Sequence, residues 1–253
     1  MSNPVDRFSS RVADYDKYRP SYPLDLINKL LEQSNLNQCS VIADIGSGTG
    51  IFSELLVNQG VKVIGIEPND AMRYSAENKL GHKVNFTSLN ATAESTCLKE
   101  SSVDVITAAQ SFHWFNKDKT IPEFKRILKP NGVLALVWNQ RCVEQDFQIA
   151  YDEILGAYSK DYDSINHKNL KDNEVPQFFD SNRMESYTYN NEQLFDYEGL
   201  LGRMRSSSYC PLPGTAEYSR LVKELEVVFN QFSLHGQVEF KYKSSLFIGP
   251  ICC

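Results

Sequence analysis

Val41-Ile42-Ala43-Asp44-Ile45-Gly46-Ser47-Gly48-Thr49-Gly50 joins an apolar, β-rich run to three alternating glycines, with a carboxylate between them. Glycine reaches positive φ without penalty and lets a ligand approach the backbone closely, so this stretch reads as a buried strand ending in a ligand-binding turn. Ile51, Phe52, Leu55 and Leu56 then follow at helical spacing. A strand, a glycine turn and a helix N-terminus in that order is how an α/β sheet holds a nucleotide-like cofactor at the carboxyl edge of its strands.

The residues around the glycines bear on which cofactor. In the dinucleotide fingerprint G-x-G-x-x-G the third glycine would fall at position 51, which is Ile51. Asp44, two residues before the first glycine, would repel a pyrophosphate placed at the helix N-terminus and would attract an ammonium or sulfonium. Glu67 ends the next strand-like run, 61–66, and an acidic side chain at that tip can accept hydrogen bonds from two ribose hydroxyls. Its plain alternative is a solvated carboxylate before the Pro68 turn. On this pattern alone an adenine dinucleotide remains open.

Further out, residues 41 to about 140 alternate strand-like and helix-like patterns, as in βαβ units with a mostly parallel sheet. Strands are expected at 41–45, 61–66, 83–87, 103–108 and 133–138. Asn69 or Asp70 is placed to cap a helix through Met72 and Ala76. Pro130-Asn131-Gly132 closes the helix striped by Ile121, Phe124, Ile127 and Leu128. Beyond 141 the pattern turns to helical stretches and polar loops. Residues 161–173 read as an exposed connection, Leu194, Leu200, Leu201 and Met204 as one helix, Tyr218, Leu221, Leu225 and Val228 as another, and 238–248 as a last strand.

Composition narrows the class. In 253 residues, with 42% hydrophobic and 23% charged, one large core with a modest lobe can form. A net charge of −6 and the lack of a Lys/Arg block argue against a nucleic-acid partner. No apolar run approaches a membrane span, and residues 1–20 hold no signal-peptide core, so neither a membrane partner nor export is expected and the location reads as cytoplasmic. The six cysteines include no C-x-x-C pair, and no metal site is expected.

Four other clusters can carry chemistry. Thr92, Ala93 and Glu94 precede the fourth strand, where they can meet an adenine edge or, through Thr92, cap a helix. Gln110-Ser111-Phe112-His113-Trp114-Phe115 follows that strand at the ligand crevice. There His113 is a candidate general base, and an aromatic face such as that of Trp114 can stabilise a sulfonium. Tyr15, Tyr18, Arg19, Pro20 and Tyr22 form an aromatic and basic group that can serve as a lid, with Arg19 able to bind a carboxylate of donor or acceptor. Arg203, Arg205, Ser206, Ser207, Ser208 and Tyr209 suit an anionic acceptor, or a helix C-terminus favoured by its dipole.

These residues together resemble the class I S-adenosylmethionine (SAM) methyltransferases, and within them the UbiE/type-11 group and its trans-aconitate-methyltransferase-like relatives. The resemblance runs through Phe8, Asp14-Tyr15-Asp16-Lys17-Tyr18-Arg19-Pro20, the glycine turn, Glu67-Pro68, 91–94, 110–115, Leu128-Lys129-Pro130-Asn131-Gly132 and Val137-Trp138-Asn139. It implies an α/β, Rossmann-like sheet of seven mostly parallel strands, the last antiparallel, with helices on both faces and a small helical lobe over the site. The segments would be 1–40 as lid, 41–140 as SAM-binding core and 141–253 as acceptor lobe plus last strands. The expected SAM residues are Asp44, Gly46, Ser47, Gly48, Thr49, Gly50, Glu67, Pro68, Met72, Thr92, Ala93, Glu94, Gln110, Ser111, Tyr18 and Arg19. For the acceptor they are Tyr15, Trp114, Trp138, Arg205 and Tyr209. The expected activity is methyl transfer to a small molecule, a carboxylate or hydroxyl acceptor, by a monomer or homodimer. The alternative is a non-catalytic regulator binding SAM or S-adenosylhomocysteine.

Overall fold

The structure, a computed structural model, describes residues 11–37, 39–159, 162 and 174–252. Seven strands form one sheet in the order β3-β2-β1-β4-β5-β7-β6. They are β1 (Val41–Ile45), β2 (Lys62–Ile66), β3 (Phe86–Leu89), β4 (Val103–Ala109), β5 (Leu128–Arg141), β6 (Glu185–Phe195) and β7 (Val238–Gly249). The first five run parallel to one another, and β7 runs antiparallel between β5 and β6. The chain winds outward from β1 to β3, then returns to the other side of β1 with β4. A crevice therefore opens where the strand order reverses, beyond the carboxyl ends of β1 and β4.

Helices α1 (Val12–Tyr18) and α2 (Leu24–Gln33) precede the sheet. Helices α3 (Ile51–Asn58), α4 (Asp70–Leu80) and α5 (Lys117–Ile127) cross between its strands, and α6 (Asp146–Tyr158), α7 (Tyr197–Arg205) and α8 (Ala216–Phe232) belong to the second half. Alternation along the strands divides the core. On one face Ile42, Val105, Ala135 and Val137 meet Leu26 and Leu30 of α2 and Phe52 and Leu56 of α3. On the other, Ala43, Ile106, Leu134 and Trp138 meet Phe124 and Ile127 of α5. A third cluster, with Tyr151, Leu155, Met204, Leu225 and Phe240, unites α6, α7 and α8 into a lobe.

Asn69 caps α4 by accepting from the Met72 amide at 3.0 Å, and α8 covers the stripe read from Tyr218 to Val228. Three boundaries depart from expectation. The third strand lies at Phe86–Leu89, because Lys83 is taken into the turn after α4 through its amide bond to Leu80. Pro130-Asn131-Gly132 lies inside β5, in the register jump between Leu128↔Val103 and Val133↔Val105. Leu194 belongs to β6 and is exposed, while the helix begins after Asp196, whose side chain accepts from the Gly199 amide at 2.7 Å. The polar alternation of β6 suits an edge strand, and it hid that strand from an apolar-pattern reading. Phe8, Cys253 and all of 161–173 except Tyr162 lie outside the described residues.

Candidate active site

The turn after β1 is fixed by backbone bonds to the neighbouring strand. The amides of Gly46 and Ser47 donate to the Ile66 carbonyl at 2.8 and 3.1 Å. Gly46 sits at φ +67°, and a Cβ there would fall 2.6 Å from that of Ser111. Gly48, at φ +56°, instead faces open space bounded by the Met72 sulfur. The Gly48 amide donates to one oxygen of Glu67 at 2.9 Å and the Asn69 amide to the other at 2.8 Å. Glu67 is buried at the tip of β2, and burial pushes its carboxyl pKa up against these two bonds. Each oxygen keeps a lone pair for a further donor.

Asp44 is buried beneath this turn. It accepts from the Ser53 hydroxyl at 2.6 Å and the Thr107 hydroxyl at 2.9 Å. Burial pushes its pKa up to about 6, with the two hydroxyls working the other way. Across the crevice, Gln110 takes φ +55°, a strained value for a residue with a Cβ. Its side-chain amide donates to the Asn139 carbonyl at 2.8 Å, and its buried Oε1 has no bonded partner among the described residues. The Ser111 hydroxyl ties this segment to the Ile45 carbonyl at 2.7 Å. His113 beside it is neutral at ordinary pH: burial, then the Lys117 charge, lowers its pKa to about 4.

From this turn a cavity of about 320 Å³ runs to the lobe, within the range of small-molecule sites. Its far end is basic. Arg19 after α1, Arg141 at the end of β5 and Arg203 on α7 all line it, with Tyr209 and Tyr242. Arg19 donates to the Ser206 carbonyl at 2.8 Å, while its buried Nε has no bonded partner among the described residues. Among the described residues Arg203 reaches only hydroxyls, those of Ser207 at 3.3 Å and Tyr242 at 3.4 Å. Burial and then the Arg203 charge lower the pKa of Arg19. Burial opposes ionisation of Tyr209, but Arg141, Arg203 and Arg19 outweigh it and bring the phenol below its ordinary value.

An uncharacterized methyltransferase-like protein of Schizosaccharomyces pombe is 30% identical over 238 residues, spanning 92% of this chain and 80% of the relative. An uncharacterized methyltransferase of Mycobacterium tuberculosis is 31% identical over 203 residues, 80% of this chain and 77% of its own. This chain is a SAM-dependent methyltransferase. Residues 43–136 match the methyltransferase-domain family model. A probable S-adenosylmethionine-dependent methyltransferase of Saccharomyces cerevisiae is 29% identical over 237 residues, 87% of this chain and 75% of that one. In fold it is similar to a candidate type II methyltransferase from Anaeromyxobacter dehalogenans, at TM-score 0.68 and 22% identity, covering 92% of this chain and 98% of the other.

S-adenosylmethionine is therefore the cofactor of this methyltransferase, and its residues suit that molecule. Glu67 presents acceptor lone pairs, Gly48 leaves room where a Cβ would stand, and Gln110 holds an unused buried acceptor oxygen. The cavity brings together Asp44, Gly46, Ser47, Gly48, Thr49, Glu67, Pro68 and Met72 from the first two strands and their turns. Thr92, Ala93 and Glu94 join them, with Gln110, Ser111, His113 and Trp114 after β4 and Tyr15, Arg19 and Tyr209 beyond. Thr92 caps no helix: it forms an isolated bridge with Ser95.

Four expected residues stay out of the cavity. Gly50 is the N-cap of α3 and faces Ala76 and Leu80 of α4. Tyr18 packs its ring onto Gly202, with its carbonyl accepting from Gln193. Trp138 belongs to the α5 side of the core, against Phe247. Arg205 turns outward and pairs with Asp14 at 2.8 Å. Two of these have polar near neighbours that do line the cavity. Strand alternation puts Asn139 and Arg141 on the face opposite Trp138, and helix phase puts Arg203, three residues after buried Leu200, on the inner side of α7. Arg203 was already in the cluster read as suiting an anionic acceptor, and strand alternation applied residue by residue would have found Arg141. Tyr22 and Ser208 belong to the two clusters singled out in the sequence, whereas Tyr242 carried no local signal.

Proposed function

We propose that this methyltransferase transfers the methyl group of SAM to a carboxylate oxygen of a small molecule. The observation that supports the reading is the pair Arg19 and Arg203. Arg203 is buried, Arg19 is half-buried with its Nε buried, both line the cavity, and neither has a carboxylate partner among the described residues. A buried unpaired guanidinium costs several kcal/mol, a cost that an anionic ligand offsets. Planar guanidinium also matches carboxylate through two parallel hydrogen bonds.

When bound, SAM supplies a methyl group already activated by the sulfonium. The protein has to hold and orient. Glu67 would take the ribose hydroxyls, and Met72 with Ala93 and Glu94 would bound the adenine. Gly46 and Gly48 would let the backbone close on the donor, and Gln110 would accept from its ammonium. Arg203, with Tyr209 and Tyr242, would orient the acceptor. Holding both reactants in line can supply about 7 kcal/mol or more of the barrier. A carboxylate is nucleophilic as it stands, so His113, neutral in this wall, has no proton to remove and excludes water.

The reading places a small-molecule acceptor, and neither a nucleic acid nor a membrane, at the site. Among the described residues no helix is long and apolar enough to cross a membrane. The test uses methyl-labelled SAM with a panel of small carboxylic acids and the corresponding alcohols. An ester returns its label as methanol after mild alkali. Label that survives alkali, on an alcohol-derived ether, would sink the carboxylate reading.

A further inference from the structure

Arg141 differs from the other two cavity arginines in having a carboxylate of its own. Its Nη2 donates to Asp152 Oδ1 at 2.6 Å and to the Tyr162 hydroxyl at 2.8 Å. The Tyr162 hydroxyl in turn bonds Asp152. Arg141 lines the cavity and its side chain is largely buried, whereas Asp152 stands behind it on α6 and does not reach the cavity. The arrangement is rigidly packed: the guanidinium lies over the Tyr151 ring at 5.4 Å, and the Tyr162 ring meets cavity-lining Tyr209 edge-on at 5.0 Å.

We propose that Asp152, acting through Arg141, sets how many negative charges the acceptor brings. The inference rests on the carboxylate reading above. Three guanidiniums face the acceptor end, and Asp152 cancels one of them. What an anionic acceptor meets is then the charge of Arg19 and Arg203, together with a neutralised Arg141 that can still donate hydrogen bonds. Without Asp152 the same cavity, with the same shape and donors, would hold one more uncompensated positive charge. Buried and close to the ligand, one unit charge changes affinity for one further carboxylate about tenfold or more. Asp152 is a positioning residue, since it touches Arg141 and not the reactants.

The probes are butyrate, succinate and propane-1,2,3-tricarboxylate, which carry one, two and three carboxylates on similar chains. Each is titrated calorimetrically into the protein loaded with S-adenosylhomocysteine, whose own affinity reports that the donor end is intact. Asp152→Asn is expected to move the ratio of affinities by about tenfold or more toward the acid with the extra charge. Arg141→Met, which leaves Asp152 uncompensated, is expected to move it the opposite way, and Asp152→Glu to keep the native ratio. A merely structural Asp152 would weaken all three acids alike, and unchanged ratios in both charge variants would overturn the proposal. If no acid binds the native protein while S-adenosylhomocysteine does, the carboxylate reading itself fails, and the role of Asp152 with it.

Discussion

The two ends of the cavity are built by opposite means. At the donor end a short stretch of chain, 44–50, supplies the turn, and one strand later Glu67 closes it by accepting from the Gly48 and Asn69 amides. Backbone geometry does most of the work there, and the side chains that matter are glycines and carboxylates. At the proposed acceptor end, Arg19, Arg141, Arg203 with Tyr209, and Tyr242 come from four separate stretches of the chain and meet only in the folded protein. A backbone-built end tolerates little change and serves one ligand. A side-chain-built end can be retuned a residue at a time, and under the proposed function its charge, more than its shape, would select what enters.

The largest expected effect breaks the donor end alone. Gly46→Ala adds a Cβ that would sit 2.6 Å from that of Ser111, at φ +67°. Strain of this kind costs about 1–3 kcal/mol, and relief by moving the turn displaces the Gly48 amide from Glu67. SAM affinity is expected to fall about 100-fold or more, measured by calorimetry, with a lowered Tm. Retained affinity would show that the turn is more pliant than its bonds to Ile66 suggest.

The next change separates the ends. Arg203→Met should leave S-adenosylhomocysteine affinity unchanged and lower kcat/KM for a carboxylate acceptor about 10–100-fold, the worth of a charged hydrogen bond. It also removes a buried charge that has only hydroxyl partners among the described residues, so Tm is expected to rise. A lost donor affinity, or a falling Tm, would mean that Arg203 braces the lobe instead of serving the acceptor.

This contrast also explains what could be read from the sequence. The donor end was legible because its residues are contiguous or in register on consecutive strands, and local backbone rules govern them. The βαβ alternation pointed to a mostly parallel sheet, and the order of its strands came only with the structure. At the acceptor end the residue types were visible but not their phase. Arg205 is two residues from Arg203, and Trp138 adjoins Asn139, yet in each pair the two side chains point to different sides of the element. Edge strand β6, half exposed and mostly polar, carried only Tyr187 and Tyr189 as an inward alternation, too weak an apolar signal to find.

His113 stands on the wall between the two ends and gives the smallest expected effect. Its folded pKa, lowered to about 4 by burial and then by Lys117, lies below the ordinary value of 6.5. Between these values the unfolded chain binds the extra proton, so the His113 contribution is complete above pH 6.5 and is lost as pH falls toward 4, by up to about 3 kcal/mol. Asp44 acts in the opposite sense. Its folded pKa of about 6 exceeds the ordinary 3.8, so its contribution is present at low pH and is lost as pH rises through 6. The two partly cancel in the native protein, and the difference between native and His113→Gln curves isolates the histidine. That difference is expected to grow as pH falls from 6.5, in urea melts followed by fluorescence. The same variant should lose less than about tenfold in kcat on a carboxylate acceptor, whereas a general base contributes about 10²–10⁴-fold. A larger loss would assign His113 to proton removal, and with it the acceptor end to a hydroxyl or an amine.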